Sequence, residues 1–338
     1  MPEISVLMSV HNGGEFINES IESILNQTYQ GFEFIIVDDG STDDTVDIIK
    51  RYKDPRIKLY VLKENVGVGA ASQYGLNKVS GKYVAKADAD DIYISTRLEE
   101  QKDFLDNNPD VALIDGLIEY FPHNENIAKS NRYRTLKSLR EKSLNNIVSS
   151  DDIREHLYWY CCLTHSTIMV RTEIISKVGY IDIPVGEDYN LFYQLNKQGF
   201  KMAKLNKILA KVRVSSTSIT ATNKEIFYRK SLLLIKKDEI IELFKNSNEV
   251  YIWGAGGMGK NLLYGLREKG MDVKGFIDID KKKHGKKING KIIYNPEKIV
   301  NNLLKNKIIV ASEPGRFEIV DYLKKREYRH LKDFVVYA

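Results

Sequence analysis

The sequence predicts an α/β protein with a mostly parallel, doubly wound sheet, followed by a smaller Rossmann-like α/β domain. Three observations lead to this prediction. Apolar runs of strand length alternate with segments of helix length from residue 4 onwards, polar clusters directly follow several of these runs, and a strand–glycine–helix order begins again near residue 250. Such alternation is typical of parallel sheets that are covered by helices on both faces.

Four apolar runs predict the first buried strands, at residues 4–10, 34–37, 57–62 and 83–87. Helices are expected between them. The first follows the turn His11–Gly14, the second is capped by Thr42 or Asp43, and the third begins at Ala70.

The middle of the chain continues this pattern with longer connections. A helix is predicted for 97–105 because Pro109 and the two asparagines before it end the helical pattern. Strands are predicted for 111–118 and 165–170, and a long polar loop with helical pieces for 122–150. A further helix is expected to begin after Gly186.

A second domain is predicted from the pattern after residue 245. A strand at 250–253 leads into Gly254-Ala255-Gly256-Gly257-Met258-Gly259, and a helix at 260–269, a strand at 273–277 and a strand at 308–311 follow. The predicted organisation is a first domain at 1–223, an amphipathic linker helix at 224–245 that includes Ile226 and Phe227, and a second domain at 246–338.

Length and composition set the broad class. The 338 residues suit two domains, and 43% apolar with 29% charged residues is typical of a soluble globular protein. No apolar run approaches the roughly 20 residues of a membrane span, and Met1 leads straight into a strand, which predicts no signal peptide. Cys161 and Cys162 are adjacent, so we interpret them as buried thiols in a reducing cytoplasm.

Charge is distributed unevenly along the chain. Residues 246–338 hold 19 Lys/Arg and 11 Asp/Glu, a net charge of +8, whereas residues 1–245 hold 32 and 35, a net charge of −3. The basic part suits either a solvated face, a phosphate-bearing ligand or peripheral association with an anionic membrane surface. It is the only feature that favours nucleic-acid binding, and we expect no nucleic-acid partner.

An acidic cluster follows the fourth predicted strand. Asp88-Ala89-Asp90-Asp91 places three carboxylates within four residues, and their mutual repulsion is relieved most simply by a divalent cation with oxygen ligands, Mn²⁺ or Mg²⁺. The alternative is a solvated acidic turn before the next helix.

Polar residues also follow the other early strands. They are His11 and Asn12, Asp38 and Asp39, and Asn65. Because ligands of open parallel sheets bind at the carboxyl ends of the strands, the four polar clusters predict one ligand site along that edge.

These segments together resemble family-two inverting glycosyltransferases with the A-type (GT-A) fold, over most of residues 1–220. The matching pieces are SVLMSVHNGGEFINESIESILNQTY, IIVDDGSTDDT, NVG, KADADDIY, RLEEQ and GEDYNL. The resemblance implies a transferase that moves a sugar from a nucleoside diphosphate sugar to a hydroxyl group, in bacterial surface glycan or polysaccharide synthesis.

The resemblance also implies roles for individual residues. Asp188 would be the general base, Asp90 would hold the metal ion on the diphosphate with help from Asp88, and His165 and Glu187 would lie on the acceptor side. Asp39 would bind the nucleobase edge, and its carboxylate favours a base with an imino donor, so uridine is expected. The donor nucleotide pocket would be formed by Ser9, Val10, His11, Asn12, Glu15, Asp39, Asn65, Gly67 and Asp88.

The residue types suit this chemistry. A divalent cation stabilises the charge that develops on the leaving nucleoside diphosphate, and one carboxylate on the opposite face accepts the proton of the attacking hydroxyl. That geometry inverts the anomeric configuration in a single step. The implied acceptor is a glycan or lipid-linked glycan, met in the cytoplasm or at the inner face of the membrane.

Two positions depart from the family pattern. Family members often carry an Arg-Asn pair where Ser72-Gln73 stands here, and often a His where Ser215 follows Arg213-Val214. Both changes remove contacts on the phosphate side. Lys86, two residues before the acidic cluster, either compensates for them or extends its ammonium to the surface.

The second domain resembles the small nucleotide-binding Rossmann modules of sugar-modifying enzymes, on the strength of YIWGAGGMG and GFIDID. It either binds a nucleotide through Gly254, Gly256, Gly259 and Asp278, or uses these glycines only for tight strand–helix packing. It would then mediate homo-oligomerisation or bring a partner enzyme close.

Three other functions remain open from the sequence. A non-catalytic sugar-nucleotide sensor or scaffold is suggested by Ser72-Gln73 and Ser215, although the joint presence of Asp39, Asp90 and Asp188 argues against it. A nicotinamide-dependent oxidoreductase would use the second domain, which is short for that purpose. A nucleotidyltransferase would share the acidic edge but leave the acidic helix start at Gly186 unexplained.

Overall fold

The computed structural model describes residues 2–216, 230–245, 247, 249–301 and 305–337. These residues form two compact units, one within residues 1–157 and 161–222 and the other within 158–160 and 223–338. Ile226 and Phe227 of the predicted linker helix lie outside the described residues. No helix within the described ranges is both long and apolar enough to cross a bilayer.

The first unit is built on an eight-stranded sheet with the order β3-β2-β1-β4-β7-β6-β8-β5. The first four strands in this order are parallel, β7 is antiparallel to both of its neighbours, β6 and β8 are parallel, and β5 is antiparallel. The strands are β1 (Ile4–Val10), β2 (Phe32–Asp38), β3 (Ile57–Val61), β4 (Tyr83–Asp88), β5 (Ile92–Tyr93), β6 (Val111–Pro122), β7 (Met169–Arg171) and β8 (Lys201–Val214).

Helices cover this sheet and connect its strands. They are α1 (Ile17–Leu25), α2 (Thr45–Arg51), α3 (Val68–Leu76), α4 (Arg97–Asn107), α5 (Glu125–Ala128), α6 (Asn131–Thr135), a π-helical segment (Leu136–Arg140), α7 (Glu141–Asn145), α8 (Ser150–Leu157), α9 (Thr172–Val178) and α10 (Glu187–Lys197). The apolar side chains of β1, β2 and β4 lie in the core with the inner faces of α1 and α4. Continuous apolar strands are buried on both faces, as the sequence predicts.

The second unit contains a six-stranded sheet with the order β11-β12-β10-β9-β13-β14, parallel except for the β11–β12 pair. Its strands are β9 (Val250–Trp253), β10 (Gly275–Ile277), β11 (Lys287–Ile288), β12 (Lys291–Tyr294), β13 (Lys307–Val310) and β14 (Phe334–Val336). Its helices are α11 (Leu232–Ile235), α12 (Lys237–Lys245), α13 (Gly257–Glu268), α14 (Pro296–Val300) and α15 (Arg316–Lys324), with a 3₁₀ turn at Lys281–Lys283.

Two predictions of local structure were wrong in part. The predicted strand at 165–170 is a 3₁₀ turn at His165–Thr167 followed by the short strand β7. Here Thr167 donates both its N–H and its hydroxyl to the carbonyl of Thr164, and such local hydrogen bonds compete with strand pairing.

The segment 122–150, predicted as a long polar loop with helical pieces, contains those helical pieces but is mostly helical and less of a loop than expected. Asn124 and Ser130 cap α5 and α6, with side-chain oxygens that accept hydrogen bonds from the backbone N–H groups of Ile127 and Tyr133. Because this segment has few apolar residues, apolar periodicity does not define where its helices begin and end.

Candidate active site

The carboxyl edge of the first sheet carries the residues predicted to bind the donor nucleotide. The register places Ser9 opposite Asp88 and Val10 opposite Asp38. Asp39 follows β2 and donates its backbone N–H to the carbonyl oxygen of Val10 at 2.7 Å. Polar groups from three neighbouring strands therefore meet at one edge, where open parallel sheets bind ligands.

Asp39 is a buried carboxylate that organises the loop after β3. It is 3% exposed, and its two oxygens accept hydrogen bonds from the backbone N–H groups of Val66 and Gly67 at 2.8 and 2.9 Å. The side-chain oxygen of Asn65 also accepts from Gly67, at 3.1 Å. Each carboxylate oxygen has two lone pairs, so accepting capacity remains for a ligand N–H group.

His11 and Asn12 hold the turn after β1 against the loop after β2. His11 Nδ1 lies 2.8 Å from the carbonyl oxygen of Asp39, and Asn12 Oδ1 accepts from the backbone N–H of Thr42 at 2.8 Å. Both side chains are exposed. These two side chains therefore lie at the solvent-exposed margin of the site and not at its buried base.

Glu15, the remaining predicted donor residue, has an exposed side chain paired with a histidine that the sequence reasoning missed. Its Oε1 lies 3.0 Å from His123 Nε2, and the His123 ring packs edge-on against Phe16 with centroids 4.8 Å apart. His123 follows β6 and is far from Glu15 in sequence; in the folded sheet β6 pairs with β7 and with β8.

Of the three carboxylates in the acidic cluster, two are accessible to solvent and the third is buried and structural. Asp88 and Asp90 are partly exposed, whereas Asp91 is 2% exposed, and its Oδ1 accepts the backbone N–H of Arg213 at 3.0 Å. Arg213 Nε also donates to the carbonyl oxygen of Asp90 at 2.8 Å. The arginine of β8 therefore fixes the loop that presents Asp88 and Asp90.

The pair Asp88 and Asp90 has the chemistry that suits a hard divalent cation. Burial and then the charge of Asp88 raise the pKa of Asp90 to about 6, and Arg213 opposes this rise only in part. No group of three or more His, Cys, Asp or Glu side chains within the described ranges is arranged to hold an ion. Because Mg²⁺ is commonly held by one or two carboxylates together with substrate phosphates, the pair fits an ion that shares its ligands with a diphosphate.

Glu187 and Asp188 begin α10 and lie within electrostatic range of Asp88. Burial and the charge of Asp188 raise the pKa of Glu187 to about 8. Burial also raises the pKa of Asp188, with a further contribution from Asp88, although a hydrogen bond from the Tyr189 N–H opposes it. The structure thus brings together carboxylates that lie about a hundred positions apart in the sequence.

His165 is buried beside Tyr180, to which the sequence analysis assigned no role. Its Nε2 lies 2.9 Å from the Tyr180 hydroxyl, and burial, helped by the charge of Lys86, lowers the pKa of His165 to about 3. Gln73 Oε1 accepts the backbone N–H of Tyr180 at 2.7 Å. Gln73, which belongs to one of the two departures from the family pattern, therefore positions Tyr180. The sequence signal that could have pointed to Tyr180 is an aromatic residue a few positions before the acidic start of α10.

In the second unit the predicted glycines differ in their surroundings. A Cβ atom on Gly254 would lie 2.3 Å from the carbonyl oxygen of Ala311, and one on Gly259 would lie 1.9 Å from that of Gly254, whereas one on Gly256 would meet nothing within 4 Å. Gly254 and Gly259 are thus required for close packing of strand and helix. Space for a ligand exists at Gly256.

The carboxylate of Asp278 is already engaged by the protein. It accepts hydrogen bonds from the backbone N–H groups of Ala255 at 3.1 Å and Asp280 at 2.9 Å, and Lys283 Nζ lies 2.8 Å from Oδ2. Burial raises the pKa of Asp278, but these hydrogen bonds outweigh burial and leave it lowered.

Comparison with families and curated relatives supports the interpretation of the first unit. A model described as glycosyl transferase family 2 matches residues 5–179, and one described as C2185-like, N-terminal, matches residues 246–332. The chain is 33% identical over 218 residues to an uncharacterized glycosyltransferase of Methanocaldococcus jannaschii, covering 63% of this chain and 71% of that one. It is 27% identical over 246 residues to the putative teichuronic acid biosynthesis glycosyltransferase TuaG of Bacillus subtilis, covering 72% and 91%.

Two solved structures share the fold. TarS 1-349 of S. aureus, in complex with UDP-GlcNAc, superposes with a TM-score of 0.53 at 18% identity over 80% of this chain and 74% of that chain. The mannosyltransferase PcManGT of Pyrobaculum calidifontis, in complex with GDP-Man and Mn²⁺, gives 0.53 at 16% identity over 71% and 64%. At these identities the likeness concerns the fold alone.

The family model covers just over half of the chain and includes the strand edge described above. The sheet of the first unit has the GT-A arrangement that the sequence predicts. This chain belongs to glycosyl transferase family 2 and is a glycosyltransferase.

Proposed function

We propose that this chain is an inverting glycosyltransferase that moves a sugar from a nucleoside diphosphate sugar, with uridine as the base, to a hydroxyl group of a glycan or lipid-linked glycan. One observation carries the proposal: burial, with a further contribution from the charge of Asp88 at the end of β4, raises the pKa of Asp90, Glu187 and Asp188. Acids from two distant segments are thus concentrated at the edge that also holds Asp39. Perturbed carboxylates that cluster in one place are typical of functional sites.

At the donor end, Asp39 would accept the imino N–H of the base while Ser9, Val10 and Gly67 line the pocket around it. His11, Asn12, Glu15 and Asn65 would form its rim. The structural neighbour solved with UDP-GlcNAc supports a uridine nucleotide, whereas the neighbour solved with GDP-Man indicates that the fold also accepts guanosine.

Asp90, with Asp88, would hold Mn²⁺ or Mg²⁺ on the diphosphate. A bound divalent cation would stabilise, as a Lewis acid, the negative charge that develops on the leaving group. The structural neighbour from Pyrobaculum calidifontis was solved with Mn²⁺, which is consistent with this choice. Arg213 would keep both carboxylates in place through the Asp90 carbonyl.

At the acceptor end, Asp188 would accept the proton of the attacking hydroxyl. Its raised pKa makes it a stronger base than an exposed aspartate, which favours proton transfer. Glu187, with a pKa near 8, is largely protonated at neutral pH and would donate a hydrogen bond to the acceptor. His165, which is neutral at that pH, would orient Tyr180 beside them.

A role in surface polysaccharide synthesis is supported by the name of one relative, a putative teichuronic acid biosynthesis enzyme. Synthesis of such polymers would bring the chain to a lipid-linked acceptor at the inner face of the membrane. The second predicted domain, at residues 246–338, would bind a partner enzyme, a second copy of the chain or a nucleotide at Gly256.

The test is a thermal-shift measurement on the full chain with UDP-, GDP-, dTDP- and CDP-sugars, with and without Mn²⁺. A ligand that binds only the native state raises the midpoint, and we expect metal-dependent stabilisation by UDP-sugars that is lost in Asp39→Ala and Asp90→Ala. Binding without any transfer or hydrolysis across acceptors would favour the non-catalytic sensor instead.

A variant of the second unit locates the binding. In Gly256→Asp the new carboxylate would cap α13 favourably but repel phosphate. Stabilisation that survives Asp39→Ala and disappears in Gly256→Asp would move the nucleotide site to the second unit and contradict the proposal.

A further inference from the structure

The first sheet edge contains one buried ammonium group with no assigned role. Lys86 lies on β4, two residues before Asp88, so both side chains leave the strand on the same face. Lys86 is 1% exposed. Its Nζ lies 3.5 Å from Asp88 Oδ1, 3.1 Å from the carbonyl oxygen of Ala87 and 3.4 Å from Ser9 Oγ.

Small side chains leave room for this ammonium group. Ser9 Oγ, which Lys86 contacts, lies 2.8 Å from Ser72 Oγ, and Ser72 is fully buried. Ser72 occupies the position where family members often carry an arginine. In this chain Lys86, on β4, brings its ammonium group within 3.4 Å of the Ser9 hydroxyl that Ser72 also contacts.

Acidic groups surround Lys86 on more than one element. Besides the contact with Asp88, its charge opposes the rise in the pKa of Glu187 that burial and Asp188 cause. The edge therefore holds an ammonium group that contacts one carboxylate predicted for the donor side and lies within electrostatic range of one predicted for the acceptor side. Burial of a lysine destabilises the folded state unless contacts with neighbouring groups or with a ligand offset the loss of its hydration.

We propose that Lys86 is a positioning residue that makes the acidic edge select a metal–diphosphate complex over a free metal ion. This proposal rests on the function proposed above. With the edge empty, the ammonium competes with a divalent cation for Asp88 and repels it. When a diphosphate arrives with the cation, the same ammonium attracts the added negative charge and holds Asp88 towards the ligand.

The proposal predicts effects of opposite sign, which loss of structure would not produce. In Lys86→Met, Mn²⁺ alone should bind about tenfold more tightly, and UDP in the presence of saturating Mn²⁺ about tenfold more weakly, the size expected for one charged contact. Lys86→Arg, which keeps the charge, should restore both constants towards the wild type.

The measurements use the full chain. Mn²⁺ binding is followed by the electron paramagnetic resonance signal of the free ion, and UDP binding by titration calorimetry. The matched control is Lys204→Met, because Lys204 is equally buried in the same unit but pairs with Asp115 at 3.2 Å. That variant should lose thermal stability while both binding constants stay unchanged.

Each outcome is decisive. Weaker binding of both Mn²⁺ and UDP in Lys86→Met, or no change in either, would overturn the role of Lys86 while leaving the proposed function intact. Wild-type protein that binds no nucleotide with Mn²⁺ would overturn both. Should Lys86→Met fail to fold, Lys86→Gln, which removes the charge but keeps hydrogen-bonding groups, gives the same comparison.

Discussion

Asp39 and Asp278 occupy corresponding places in the two units. Each follows the second strand of its sheet and accepts hydrogen bonds from two backbone N–H groups. Around Asp278 the protein adds Lys283, and the pKa of Asp278 is lowered. Around Asp39 the first edge instead collects further acids, and the pKa values of Glu187 and Asp188 among them are raised.

This difference separates a structural carboxylate from candidate functional ones. Where hydrogen bonds and a lysine stabilise the charged form, the carboxylate contributes to folding, and a ligand has little to add. Where burial and like charges destabilise the charged form, binding a cation or taking up a proton from a substrate removes part of that destabilisation. The first edge is therefore the better candidate for chemistry, although both sheets end in glycines and acids.

The largest effect should come from the proposed base at the first edge. In Asp188→Asn the side chain keeps its shape but cannot accept the acceptor proton, so we expect the turnover number to fall about 10²–10⁴-fold, the usual contribution of general-base catalysis. Binding of the donor, measured as its thermal shift, should stay close to wild type. Transfer of radiolabelled sugar from the identified donor gives the rate.

Asp182→Asn is the matched control for that change. Asp182 is exposed and lies six residues before Asp188, so the same substitution there should leave transfer unchanged. Near-normal transfer by Asp188→Asn would exclude it as the base and make Glu187, the other acid at the start of α10, the next candidate.

A smaller effect should appear in the dependence of stability on pH. The folded chain retains the Glu187 proton up to about pH 8, whereas the unfolded chain releases it near pH 4.5. Raising the pH through this window therefore favours the unfolded chain. In Glu187→Gln this penalty disappears, so the variant should be more stable than wild type at pH 8.5 by about 4–5 kcal/mol, since the pKa differs by about 3.5 units between the two states and one unit corresponds to about 1.4 kcal/mol.

Chemical denaturation of both proteins at pH 5 and pH 8.5 measures the effect. The two should be similar at pH 5, because Glu187 is protonated in the folded state there and glutamine imitates the protonated form. Equal stability at both pH values would mean that Glu187 is more exposed to water than its buried position indicates.

Much of the first edge could be predicted from the sequence because the relevant signals are local. Asp39 and Asp88 follow continuous apolar runs directly, and parallel strands must end at one edge. The start of α10 was equally clear, since Gly186 is followed by two acids. None of these inferences required knowledge of which strands are neighbours.

The residues that were missed depend on long-range pairing. His123 reaches Glu15 only in the folded sheet, where β6 pairs with β7 and β8, and Tyr180 is held by Gln73, more than a hundred residues earlier. Lys86 could be noticed in the sequence, but whether its ammonium turned inward or outward could not be decided. That choice depends on the space at Ser72, which only the folded chain defines.

The smallest effect should come from the second edge, where the carboxylate is expected to be structural. In Asp278→Ala the N–H of Ala255 and the ammonium of Lys283 lose their acceptor, so we expect a loss of about 1–3 kcal/mol in stability. Transfer at the first edge should be unchanged at a temperature where the variant is folded. Asp321→Ala, at an exposed position on α15, controls for removal of one negative charge from the same unit. If Asp278→Ala instead kept full stability and abolished a nucleotide-dependent thermal shift, Asp278 would be a ligand-binding residue, and the two edges would be alike in function.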